Sequence, residues 1–301
     1  MAVIETRNLT KKFKELVAVD GVNLEIKDRE CFGLLGPNGA GKTSLIRMIT
    51  GVSPPNSGEV WVSGFNLRKQ LRQAKAILGV VPQGDNLDPD LNVIQNLTTF
   101  ARYFDISKSE ARRRSLEILR LFEMEAKMNS RIKELSGGMR RRLLIARGLI
   151  NMPLIVVFDE PTIGLDPQSR HLVWHKLNKL KSEGITLLLC TQNMDEAAIL
   201  CDRVAVMHHG IFLDTGKPHQ LIQKYIGKEV WEIDLDSIDR NSLSAELEKR
   251  RLEYEFAGNT AYVFHVDTEE SLGNIDNIRP RWRSATLEDV FFRLAGRSLI
   301  E

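Results

Sequence analysis

No apolar run in this chain approaches the ~18 residues needed to cross a bilayer. The longest candidates, Leu154–Phe158 and Ile185–Cys190, have the length of buried strands. The opening residues Met1-Ala2-Val3-Ile4-Glu5 lack the basic and apolar regions of a secretory leader. Cysteine is scarce: Cys31, Cys190 and Cys201 form an odd, sparse set without metal-ligand spacing. Cys31 and Cys190 lie in apolar, strand-like contexts where cysteine acts as a small hydrophobe, and a reducing cytosol is the expected compartment. A dominant charge is missing as well. Lys and Arg number 42 against 40 Asp and Glu, and the net charge of +2 argues against broad attraction to nucleic acid. Two local basic runs, Arg112-Arg113-Arg114 and Arg140-Arg141-Arg142, read as solvated helix faces.

What is present suits a buried core: 43% of the 301 residues are hydrophobic, and the length allows about two domains. Residues 1–227 alternate short apolar strands with amphipathic helices, the pattern of an α/β domain with parallel strands. Within it, residues 87–150 turn helical, with Leu116, Leu119 and Leu121 near helical spacing in Ser115–Phe122, and read as a helical insertion. The character changes near residue 228. Trp231, Ile233 and Leu235 alternate with Glu232, Asp234 and Asp236, as in a half-buried strand, and a charged helix is expected over about 241–252. Tyr254–Phe256 and Ala261–Val266 flank a Gly258-Asn259 turn, and Thr286-Leu287-Glu288-Asp289 opens a last amphipathic helix. Residues 228–301 therefore read as a small α+β domain.

Three segments carry chemistry. Gly36-Pro37-Asn38-Gly39-Ala40-Gly41-Lys42-Thr43 is a full phosphate-loop match, placed between the strand Cys31–Leu35 and the helix Lys42–Thr50. Its glycines let backbone N–H groups turn toward phosphates, Lys42 brings a point charge, and the Thr43 hydroxyl suits Mg²⁺. Asp159 ends a buried strand, where a carboxylate needs a partner such as a metal shell, and Glu160 beside it suits a general base acting on water. Ser136-Gly137-Gly138 begins a helix carrying Leu143, Leu144 and Ile145; taken alone it is a capped helix start with exposed N–H groups. No Asn-Lys-x-Asp run points to guanine.

The order of these segments resembles the ATP-binding cassette (ABC) family. Leu135-Ser136-Gly137-Gly138-Met139 is similar to its signature loop, and Asp159-Glu160 with Pro161–Pro167 to its Walker B and D-loop segment. The resemblance implies a P-loop NTPase fold: a parallel core sheet, an antiparallel β subdomain and the inserted helical subdomain. It implies ATP and Mg²⁺ as ligands. Nucleotide contacts fall on Phe13, which would stack on adenine, on Gly36 to Thr43 with Ser44, and on Gln83, Ser136, Gly137, Gly138 and Asp166. Thr43, Gln83 and Asp159 would serve the metal, and Lys42 and Glu160 catalysis. The signature loop would complete the site of a second copy, giving a head-to-tail homodimer. One departure concerns Gln192, which stands where the family has a switch histidine. An amide can donate a hydrogen bond but cannot become cationic, so slow hydrolysis is expected. Ala285–Phe291 and Cys201–Met207 are similar to segments of drug-resistance and nodulation-factor export ATPases. The implied role is ATPase subunit of an exporter at the cytoplasmic face of the cell membrane, serving a separate permease. A regulatory subunit with little hydrolysis, and a soluble cassette without transport, stay open as alternatives.

Overall fold

The computed structural model describes residues 1–236, 238–266 and 280–296. Two compact units emerge, Met1–Asp214 and Thr215–Glu301. The first is built on two sheets. Strands β1 (Ala2–Phe13), β2 (Leu16–Lys27), β4 (Ser57–Val62) and β5 (Phe65–Asn66) form an antiparallel sheet in the order β2-β1-β4-β5. Strands β3 (Cys31–Leu35), β6 (Leu78–Val81), β7 (Ile155–Asp159), β8 (Thr186–Thr191), β9 (Arg203–His208) and β10 (Ile211–Gly216) form the other, ordered β10-β9-β3-β8-β7-β6. Pairing is parallel from β6 through β9.

Every residue of β3, β7 and β8 is buried, as expected where helices or another sheet cover both faces. Helix α1 (Lys42–Ile49) lies between the two sheets. Its Leu45, Ile46, Met48 and Ile49 join a core containing Ile4, Val60 and Val62 from one sheet and Ile155, Val157 and Leu188 from the other. Side chains alternate along a strand, so Asp159 leaves β7 on the same face as Ile155 and Val157, the face of α1.

The insertion contains α3 (Val93–Ala101), α4 (Lys108–Leu121) and α5 (Gly137–Gly148), after the short α2 (Leu71–Ala76). Asn92 and Gln95 form a capping box on α3, Ser107 caps α4, and Ser136 caps α5. Helix α4 begins seven residues before the Leu116-centred pattern, because Ser107 and Glu110 set its start. The chain returns through α6 (Pro167–Ser182) and α7 (Met194–Leu200).

The second unit begins before the boundary that composition suggests at residue 228. Helix α8 (Pro218–Tyr225) belongs to it, packing on α10 (Leu287–Ala295). Its antiparallel sheet runs in the order β12 (Glu253–Ala257), β13 (Thr260–Phe264), β11 (Glu229–Asp234), β14 (Arg281–Ser284). Trp231, Ile233, Ala261 and Val263 pack against Leu243 and Leu247 of α9 (Arg240–Lys249). Parts of the expected 228–301 domain, at 237, 267–279 and 297–301, lie outside the described residues. No helix among the described residues is long and apolar enough to cross a membrane.

Candidate nucleotide site

The parallel strands bring the site together at their carboxyl ends. β3 feeds the phosphate loop, β7 ends in Asp159-Glu160, and β8 runs into Gln192. In register, Leu35 pairs with Thr191 and Asp159 with Cys190, so three chain-distant motifs meet on adjacent strands. Ligand sites in open α/β sheets form at such strand ends.

A cavity of about 230 Å³ opens there, lined by Phe13, Leu16, Ala18, Pro37, Asn38, Gly39, Gly41, Lys42, Thr43, Ser44, Gln83 and Glu160. The loop's tight course leaves no room for side chains at two glycines. A Cβ on Gly36 would stand 2.2 Å from the Met207 carbonyl oxygen, and one on Gly41 2.1 Å from that of Ala18. Gly41 also has a φ of 105°, a conformation L side chains rarely adopt. The buried Lys42 ammonium donates to the carbonyls of Gly36 at 2.6 Å and Pro37 at 2.9 Å, which leaves a third donor. Phe13 is 49% exposed at the cavity edge, with the Lys11 ammonium 5.2 Å from its ring centroid. An aromatic face open to this degree is a platform rather than core packing.

Glu160 is buried in a left-handed backbone conformation, φ 49°. Its N–H donates to the Cys190 carbonyl at 2.9 Å, and its Oε2 accepts from the Gln192 N–H at 3.3 Å. Burial raises its pKa above the usual carboxylate value, a shift opposed by that hydrogen bond and by Lys42. Asp159 Oδ1 is buried and, among the described residues, finds no hydrogen-bond donor. A carboxylate oxygen in that state, on the α1 face of β7, fits a divalent cation or its water shell. Burial and the neighbouring Asp159 push the Cys190 thiol well up, so it behaves as packing.

The other expected residues stand outside this cavity's lining. Gly36 and Ala40 are buried members of the loop that do not line the cavity, and Gln192 meets the site through its main chain. Ser136 caps α5 by accepting from the Met139 N–H at 3.2 Å, and Gly137 is exposed. A Cβ on Gly138 would meet Ser169 Oγ at 2.7 Å, so the signature glycine packs on the start of α6. Asp166 caps that helix, accepting from the Ser169 N–H at 2.9 Å.

The basic runs need correction. Arg113 pairs with Glu110 and Glu117 on a solvated face, but Arg141 is 5% exposed and binds only backbone carbonyls. Burial lowers its pKa to about 10. Helical spacing from Leu144, Ile145 and Gly148 puts Arg141 on the buried side of α5, a signal that a count of charges misses. Glu196 is a second such residue. Fully buried, it accepts from Thr162 Oγ1 at 2.8 Å and Trp174 Nε1 at 2.9 Å, joining α6 and α7 to the loop after Glu160.

Comparison with known proteins places this arrangement. The family described as ABC transporter matches residues 19–163. The chain is 42% identical to the Nod factor export ATP-binding protein I of Cupriavidus metallidurans, over 99% of both chains. It is 41% identical to the protein of that name from Rhizobium meliloti, over 98% of this chain and 89% of that one. Among solved structures, a dimeric ATP-binding cassette in a post-hydrolysis state bound to ADP and Pi is 30% identical with a TM-score of 0.66, covering 71% of this chain and 98% of that one. The cbiO1 structure from Clostridium perfringens, part of the ABC transporter complex cbiONQ, is 28% identical with a TM-score of 0.67, over 73% and 90%.

Proposed function

The chain belongs to the ABC transporter family, and from that membership we propose that it is the ATP-hydrolysing subunit of an exporter, peripheral to the cytoplasmic face of the membrane and paired with a separate permease. The observation that carries this reading is one cavity holding the phosphate loop, Phe13, Gln83 and Glu160 together. The curated relatives are named for Nod factor export, so an exported cargo is the expectation here too.

In this reading Phe13 stacks on the adenine, while loop N–H groups, Lys42 and the α1 terminus receive the phosphates. Thr43, Gln83 and Asp159 would hold Mg²⁺, whose charge would help neutralise the bound phosphates. Glu160 takes a proton from the attacking water, and its raised pKa makes it a better acceptor than a solvated carboxylate. Ser136, Gly137 and Gly138 of a second copy supply N–H donors at the γ-phosphate, and Asp166 lies at that dimer interface. ATP binding closes the dimer and hydrolysis reopens it.

A groove of about 650 Å³ in the same unit supports the permease as partner. Leu71, Tyr103, Phe104 and Ile106 line it, with Tyr103 79% exposed. A neighbouring groove shares Tyr103 and Phe104 and includes Val80 of β6, three residues before Gln83. Pressure there reaches the nucleotide site through one short strand.

Gln192 favours a second reading, a regulatory subunit whose occupancy matters more than its turnover. Steady-state ATP hydrolysis by the purified chain, with and without its permease, separates the two. Gln192→His is expected to raise turnover by about 10²-fold at unchanged ATP affinity, the scale of one transition-state hydrogen-bond donor. Ordinary hydrolysis by the native chain, with no gain in the variant, would sink the switch argument. Failure to sediment with membranes containing the permease would favour a soluble cassette.

A further inference from the structure

Among the described residues Arg141 has no carboxylate partner within salt-bridge distance, yet its guanidinium is saturated. Nε donates to the Pro161 carbonyl at 2.6 Å. Nη1 donates to Pro82 O at 2.6 Å and Gln83 O at 3.3 Å, and Nη2 to Asp159 O at 3.1 Å and Glu160 O at 2.9 Å. These contacts use all five N–H donors of the fork, a set that lysine could not reproduce. They come from two loops. Pro82 and Gln83 follow β6, whereas Asp159, Glu160 and Pro161 form the end of β7. Arg141 itself is on the second turn of α5, directly behind the Ser136–Gly138 loop.

The rest of α5 grips the same segment. Arg140 Nε lies 3.2 Å from Asp85 Oδ2, and Arg147 donates to the Asn86 carbonyl at 2.8 Å while its guanidinium sits 4.8 Å from the Phe100 ring. Residues 82–86 are therefore carried by α5 at three points. Only Arg141 extends that grip to the backbone of the carboxylate pair. Its donors meet carbonyls rather than side chains, so the tie fixes main-chain position whatever the protonation of Asp159 or Glu160.

We propose that Arg141 is a positioning residue that makes the signature helix, the Gln83 loop and the backbone of Glu160 move as one body. A signature loop drawn onto a second copy's nucleotide would thereby set Gln83 and Glu160 in its own site. This inference rests on the dimer described under Proposed function. Without the tie, Arg140 and Arg147 would still hold residues 85–86 to α5, but the backbone of Glu160 would no longer follow them.

The test uses the full chain with ATP and Mg²⁺ and reads amide hydrogen exchange in residues 83–86 and 162–165. In the native protein ATP should protect both segments together. Arg141→Met and Arg141→Lys should bind ATP within about threefold of native affinity. They should lose the joint protection, with turnover down about tenfold at little-changed KM. Arg141→Gln, which keeps two N–H donors, serves if the methionine variant does not fold. Joint protection and near-native turnover in either the methionine or the lysine variant would overturn the proposal. Recovery by lysine alone would overturn it too, since charge without the fork would then suffice. Sedimentation of the native chain with ATP reports dimerisation separately, so failure of the dimer reading is distinguishable from failure of the tie.

Discussion

Glu160 concentrates opposing demands on one residue. A non-glycine side chain in the left-handed region and a buried carboxylate both cost stability, and the Gln192 N–H and the nearby Lys42 charge offset only part of that cost. Function is the natural explanation for a residue kept at that cost. Glu160→Gln is therefore expected to raise the thermal midpoint of the nucleotide-free protein while lowering turnover by at least about 10²-fold, the scale of a lost general base. Calorimetry and steady-state hydrolysis on the same preparation check both halves. At this scale the sequence was readable wherever chemistry is local. Asp159 ends a buried strand, Glu160 follows it directly, and Lys42 and Thr43 lie across one short loop from β3, so position along the chain implies position in space. Arg141 and Glu196 were not readable in that way. Their burial depends on loop carbonyls and on Thr162 and Trp174, groups that distant segments deliver only after folding.

At the scale of the element, the phosphate loop depends on its neighbours as much as on its ligand. Gly41 must clear the Ala18 carbonyl, whereas a Cβ on Gly39 would meet nothing within 4 Å despite a φ of 84°. Gly41→Ala is expected to cost about 3 kcal/mol or more, combining backbone strain with a clash against main chain. Gly39→Ala should cost about 1 kcal/mol, from the left-handed backbone alone. Urea unfolding of the two variants measures the difference, and equal costs would contradict the packing argument. The strands β3, β7 and β8 were legible as continuous apolar runs, because burial on both faces removes alternation. The start of α4 was less so, since its first two turns are charged and only the Ser107 cap marks them.

At the scale of the whole molecule, the two units keep separate cores. In the second, Asp289 accepts from Arg283 Nη1 at 2.8 Å and Nη2 at 2.7 Å, and from the Thr286 N–H and hydroxyl at 2.8 Å. Burial would raise its pKa, but these partners prevail and hold it below the usual carboxylate value. A depressed carboxylate adds stability above its unfolded pKa, and that stability is lost as pH falls through the folded value. Asp289→Asn should therefore destabilise this unit by about 1 kcal/mol at pH 7, a modest sum because Arg283 stays partly solvated. Native and variant midpoints should converge as pH drops below about 4. The compact unit starts at Thr215, ahead of the change in composition at 228, because α8 is amphipathic like the helices before it yet packs on α10. The ordering of β11, α9 and the 258–259 turn followed from alternation and turn chemistry.

The pairing of Asp159 with Cys190 and of Leu35 with Thr191 makes chain length, more than composition, the quantity this site guards. One residue gained or lost inside β7 ahead of Asp159 would reverse the side chains that follow it in that strand and send Asp159 to the face away from α1. The turn between α3 and α4 has no such arithmetic. Insertions there lengthen a surface excursion, while a single one in β7 would separate the Asp159 carboxylate from the Gly36–Thr43 loop.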